Sequence, residues 1–132
     1  MIKVITFGTF DILHKGHEFY LKESKKFGDK LYVVVALDST VLKMKGKLPR
    51  NNQEKRLEAI KKLPFVDEAM LGSDGDKYKI IEEIKPDVIC FGYDQSSFTD
   101  KLSDELIKRN LSAKIIRLAS FMPEIYKSSK MQ

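Results

Sequence analysis

Two imidazoles stand three residues apart, at His14 and His17, and the chain has no other histidine. Gly16 lies between them, and Gly8-Thr9-Phe10-Asp11 precedes them, directly after an apolar run that ends at Phe7. A neutral imidazole has one donor and one acceptor nitrogen, so a close pair suits a metal, an anion or a set of core hydrogen bonds. A zinc site normally draws on several protein ligands, whereas here there is no third histidine and Cys90 is the one cysteine. Metal ligation is therefore not expected of them. Glycine permits a tight turn with close backbone approach, and a helix start behind it presents unpaired N–H groups and a partial positive charge. That combination suits an anion, most naturally phosphate. A structural role for the imidazoles is the alternative reading of the pair taken alone.

Other candidates are scattered along the chain. Lys43, Lys45, Lys47 and Arg50 form a local basic cluster within a chain of 24 Lys+Arg against 19 Asp+Glu, a net charge of +5. Such an excess attracts nucleic acid, acidic membranes or phosphorylated small molecules, although part of it serves only solubility. Asn51 and Glu54 have the spacing of a capping pair at a helix start, and Arg56 follows on the same helix. Gly92-Tyr93-Asp94-Gln95 succeeds another apolar run, where an acid and an amide could read base or ribose edges or simply form a turn. Near the end stand Arg117 and then Lys127-Ser128-Ser129.

These residues need elements to hold them. Lys3 to Phe7, Leu31 to Leu37, Val66 to Leu71, Asp87 to Phe91 and Lys114 to Leu118 are short, apolar and bounded by Gly, Asp or Pro, as strands are. Between them, Glu18 to Phe27, Asn52 to Leu63, Lys77 to Ile84 and Phe98 to Arg109 carry helix formers with apolar spacing near 3.6 and stop at Gly, Pro or Asn. A terminal helix is expected after the last strand. Near-continuous apolar strands joined by helices predict an α/β fold, a Rossmann-like, doubly wound parallel sheet of five strands with helices on both faces. In such sheets ligands bind beyond the carboxyl ends of the strands. The segments after the strands, Gly8 to His17, Asp38 to Arg50, Gly72 to Asp76, Gly92 to Gln95 and Ala119 to Lys130, are where a site is expected.

With 132 residues, 42% hydrophobic and 33% charged, the chain reads as one globular domain over 1–132. Its apolar runs are too short to span a bilayer, so no membrane association and a cytoplasmic location are expected. Cys90, inside the run Val88 to Phe91, reads as a buried small hydrophobe in a reducing compartment.

The string G-T-F-D-I-L-H-K-G-H, Gly8 to His17, resembles the signature of the cytidylyltransferase-like nucleotidyltransferases, and the resemblance extends over essentially the whole chain. It implies that the phosphate of an acceptor attacks the α-phosphorus of a nucleoside triphosphate and releases pyrophosphate. By the same resemblance His14 and His17 stabilise the reacting phosphates, with Lys45 and Arg56 completing the catalytic set. Thr9 and Phe10 would contribute backbone and wall contacts near the α-phosphate, Asp11 would help to fix the loop, and Gly16 belongs to the same nucleotide-binding turn. Gly92, Tyr93, Asp94 and Gln95 would meet the nucleoside, and Arg117, Lys127, Ser128 and Ser129 the β- and γ-phosphates. Mg2+ or another divalent cation is expected with the triphosphate, no dedicated metal site in the protein, and a homodimer. Members that use glycerol 3-phosphate usually read R-x-x-G-I-S-[ST]-[ST] near the end, whereas here a longer apolar spacer separates Arg117 from Lys127-Ser128-Ser129. With Gly92 to Gln95 and the Lys-Ser-Ser ending, which resemble the flavin-adenylylating branch, ATP with FMN is the preferred pair; CTP with glycerol 3-phosphate, or cytidylyl or adenylyl transfer to another phosphorylated acceptor, is the alternative. A nucleotide- or RNA-binding module without turnover is the non-enzymatic alternative; no specific nucleic acid is expected.

Overall fold

A computed structural model of the protein describes residues 1–73, 75, 78–91 and 102–118. Strand β1 (Lys3–Gly8) leads through helix α1 (Lys15–Lys25) to β2 (Lys30–Val35), and α2 (Asp38–Lys45) and α3 (Gln53–Lys61) then lead to β3 (Glu68–Leu71). The chain continues through α4 (Lys79–Ile84), β4 (Val88–Phe91), α5 (Leu102–Lys108) and β5 (Lys114–Arg117). The strands form one sheet in the order β3-β2-β1-β4-β5. Every pairing is parallel, with β1 matched to β2 from Lys3↔Lys30 to Gly8↔Val35 and to β4 from Val4↔Val88 to Thr6↔Cys90.

Alternation along the strands divides the core in two. Val4, Leu31, Val33, Val35 and Val88 face Leu21 of α1 and Ile60 of α3. Ile5, Tyr32, Val34, Ile89 and Phe91 face Ile81 of α4 and Leu102 and Leu106 of α5. Right-handed crossovers explain the division: moving outward from β1 to β2 and β3 places helices on one face, and reversing direction to reach β4 and β5 places them on the other. Burying a side chain the size of Leu21 or Ile60, each 0% exposed, contributes roughly 1.5–3 kcal/mol. The doubly wound α/β architecture is thus the one expected, and strand order reverses on either side of β1.

Three local expectations are corrected. Helix α1 begins at Lys15, ahead of Glu18, because His14 caps it. Residues 38–45, read as part of a loop, form α2, which ends where Gly46 adopts a left-handed φ of 77°. The N-cap of α3 is Asn52, whose side chain accepts from the Lys55 N–H, so Asn51 and Glu54 are not the capping pair. The expected terminal helix lies outside the described residues.

Candidate functional site

The central strand hands its chain to a turn built around two glycines. Phe10 has a left-handed φ of 53°, which for a bulky residue costs roughly 1–2 kcal/mol. Burial offsets this, since the ring is only 5% exposed and belongs to the core under α1. That ring lies back over Gly8, where a Cβ would come within 2.5 Å of Phe10 Cζ. It also meets His17 edge-on, with ring centroids 5.4 Å apart.

His14 and His17 cap α1 reciprocally. His14 Nδ1 accepts from the Gly16 N–H at 3.0 Å, and His17 Nδ1 accepts the longer bond, 3.4 Å, from the His14 N–H. The arrangement is a capping box with imidazoles in place of the usual hydroxyl and carboxylate. A ring nitrogen that accepts carries no proton, so these bonds select the tautomer with the proton on Nε2 for both rings. The rings stack with centroids 3.9 Å apart. Gly16 is needed for this, because a Cβ there would lie 2.8 Å from His14 Cε1. The outcome is a stacked pair of imidazoles, each accepting through Nδ1, at the positive end of a helix of 11 residues. His14 is exposed and His17 half-buried.

Asp11 joins this turn to the chain preceding α3. Its carboxylate accepts from the Arg50 and Asn51 N–H groups, each at 2.8 Å, and its carbonyl accepts from Asn51 Nδ2 at 2.6 Å. The Arg50 and Asn51 N–H groups hold the Asp11 carboxyl below its ordinary value.

Arg56 departs most from expectation. Its side chain is buried, 1% exposed as a residue, and turned onto protein oxygens. Nε donates to Asn51 O at 3.0 Å, Nη1 to Thr9 O at 2.9 Å and to Ala36 O at 2.7 Å, and Nη2 to Asp38 Oδ1 at 2.7 Å. A guanidinium has five N–H donors, and four are committed to protein oxygens. Asp38, Asn51 and Gln53, whose Oε1 accepts from the Asp38 N–H at 2.8 Å, complete the network. Sequence reading missed Asp38 and Gln53 and gave Asn51 only a capping role. The one available signal was an acid, Asp38, just past a strand's carboxyl end.

Lys45 lies in the last turn of α2 and is exposed, as are Lys43 and Lys47. Arg117 closes β5, in register with Phe91 of β4, at the same carboxyl edge of the sheet but with β4 between it and β1. Gly92, Tyr93, Asp94, Gln95, Lys127, Ser128 and Ser129 lie outside the described residues. Among the described residues no group of three or more His, Cys, Asp or Glu is placed to hold a metal ion. No helix among them is long and apolar enough to cross a membrane.

Comparison with known proteins places this geometry. The family model described as Cytidylyltransferase-like matches residues 5–131. A protein named FAD synthase from Thermoplasma volcanium is 45% identical over 132 residues, spanning 100% of this chain and 92% of that one. Another of that name, from Methanobrevibacter ruminantium, is 49% identical over 120 residues, 89% of this chain and 79% of that one. The crystal structure of the lipopolysaccharide core biosynthesis protein from Thermoplasma volcanium GSS1 has a TM-score of 0.86 at 47% identity, covering 92% of this chain and 98% of that one.

Proposed function

The chain belongs to the cytidylyltransferase-like family and is a nucleotidyltransferase, and from that premise we propose that it is an FMN adenylyltransferase, joining ATP and FMN into FAD with release of pyrophosphate. The observation that carries the reaction class is the imidazole pair at the start of α1, each ring accepting a backbone N–H through Nδ1, which puts its proton on Nε2. The relatives named FAD synthase, similar over most of their length, support the choice of acceptor.

The acceptor phosphate is largely ionised at neutral pH, since its second pKa is about 6, and needs no general base. Its oxygen attacks the α-phosphorus and the bond to the pyrophosphate oxygen breaks, so the protein's task is positioning and charge stabilisation. His14 and His17 donate to oxygens around the α- and β-phosphates as charge develops there. The backbone of Thr9 and the wall of Phe10 bound the α-phosphate, with Gly16 letting the two rings approach. Lys45, Arg117, Lys127, Ser128 and Ser129 hold the leaving phosphates, while Gly92 to Gln95 take the nucleoside. Arg56 is reassigned from phosphate binding to support, because its donors are already spent on protein oxygens.

Mg2+ or another divalent cation would be held mainly by triphosphate oxygens and water, neutralising phosphate charge. We take residues 1–132 as one domain, acting in the cytoplasm as a homodimer.

Incubating the purified protein with ATP or CTP and with FMN or glycerol 3-phosphate, then assaying pyrophosphate and FAD, tests the reading. Both products are expected with ATP and FMN. Release only with CTP would refute this acceptor and donor, and nucleotide binding without release would make the chain a binding module.

A further inference from the structure

The stretch 39–49, most of α2 and the chain beyond it, carries Lys43, Lys45 and Lys47 and is largely exposed; its buried anchor is Val41, 4% exposed. Its two ends, in contrast, are held by several bonds each. At the near end the Asp38 carboxylate takes Arg56 Nη2 and the Asp38 N–H donates to Gln53 Oε1. At the far end Arg50 and Asn51 donate to the Asp11 carboxylate, Asn51 Nδ2 donates to the Asp11 carbonyl, and Arg56 Nε donates to the Asn51 carbonyl. Arg56 therefore touches both ends of the lysine-bearing arm, and through Thr9 O and Ala36 O it also touches the chain just past β1 and β2. Asp11 belongs to the same turn as the histidines.

We infer that Arg56 and Asp11 are positioning residues that fix the lysine-bearing arm 39–49 relative to the histidine turn, so that both cationic elements meet one triphosphate in a set geometry. This rests on the nucleotidyl-transfer reading for its ligand, but the latch itself is a property of the protein without nucleotide. The planar guanidinium suits it for a chemical reason. Four acceptors from three separate segments, at Thr9, Ala36 to Asp38 and Asn51, lie around one rigid fork, a geometry that the three donors of a flexible lysine ammonium do not reproduce.

The test uses Arg56→Lys, which keeps the charge and removes the fork, and Asn51→Ala, which removes one half-buried side-chain link. Three quantities are measured: kcat and KM for ATP at saturating FMN, thermal stability, and amide hydrogen exchange at residues 38–40 and 50–52 without nucleotide. Misplacing a reacting group by about 1 Å can reduce rates on the order of 100-fold. Arg56→Lys is accordingly expected to lower kcat/KM on the order of 100-fold and to speed exchange at both ends of the arm together. Asn51→Ala should do the same on the order of tenfold, with exchange faster at 50–52, and it keeps the test alive if Arg56→Lys does not fold. Slower turnover with unchanged exchange would overturn the inference and return Arg56 to direct phosphate contact. Lowered stability with wild-type kcat and KM in the folded fraction would also overturn it, leaving only a structural role. A wild-type protein inactive toward ATP and FMN would refute the proposed reaction instead, and exchange in the variants would still decide the latch.

Discussion

At the scale of single residues, the imidazoles illustrate how a capping bond can double as functional preparation. Committing Nδ1 to the backbone fixes which nitrogen donates, without any further residue to orient the ring. Replacing His14 by Asn separates the two roles, because Asn caps helices well but has no Nε2. The variant should keep its melting temperature within a few degrees, while turnover falls on the order of 100-fold or more. An equal collapse of both would show that the imidazole is needed for folding alone. His17→Ala should likewise lower kcat far beyond its effect on stability. Asp11 predicts a pH effect of definite sign. Its folded pKa is held below the ordinary 3.8, first by the Arg50 N–H and then by the Asn51 N–H. The carboxylate thus stabilises the fold fully above about 3.8, and that contribution disappears as pH falls through the lower folded value. Denaturant unfolding of wild type and Asp11→Asn across acid pH should show a gap that is constant near neutrality and closes in strong acid. A gap that widened on acidification would contradict this assignment.

At the scale of elements, the junction of β1 and α1 works because two glycines let aromatic rings fold back onto the backbone. Gly8→Ala places a Cβ 2.5 Å from Phe10 Cζ, so either the ring leaves the core or the strand end shifts. Both movements disturb the edge contact with His17. Overpacking of this kind costs about 1–3 kcal/mol, and we expect a clear loss of stability together with a drop in turnover. Phe10→Leu in the Gly8→Ala background, which trades the ring for a smaller side chain, should recover part of the stability but not the turnover. Full recovery of both would show that the Phe10–His17 contact is dispensable. Helix α2 shows why one element escaped sequence reading. It has eight residues, buries only Val41, and starts at Leu37 without a side-chain cap. Its start is supplied from outside, by Gln53 and Arg56. No periodic stripe announced it, although Gly46 marked its end.

At the scale of the whole molecule, helices cover both faces of the sheet, and its central strands are buried. Cys90, on β4 beside β1, is 0% exposed, and burial pushes its thiol up to about 11. Alkylation by a thiol reagent at neutral pH should therefore track unfolding: slow in the native protein and fast once denaturant opens the sheet. Rapid modification of the native state would mean that β4 opens locally. The α/β order, both helix layers and the Gly8-to-His17 turn could be read from the chain because their signals are local: strand runs, helix periodicity, and glycines next to imidazoles within ten residues. The Lys43 to Lys47 cluster was legible as charge, but not as the end of a helix. What only the tertiary structure decided is the work of Arg56, Asp11, Asp38 and Asn51. Apart from the Arg56–Asn51 bond at the start of α3, their partners lie 15 to 47 residues away along the chain, and whether an arginine meets phosphate or protein depends on burial that the packed sheet alone creates. Local sequence sets which groups can donate, and the fold sets what remains for them to donate to.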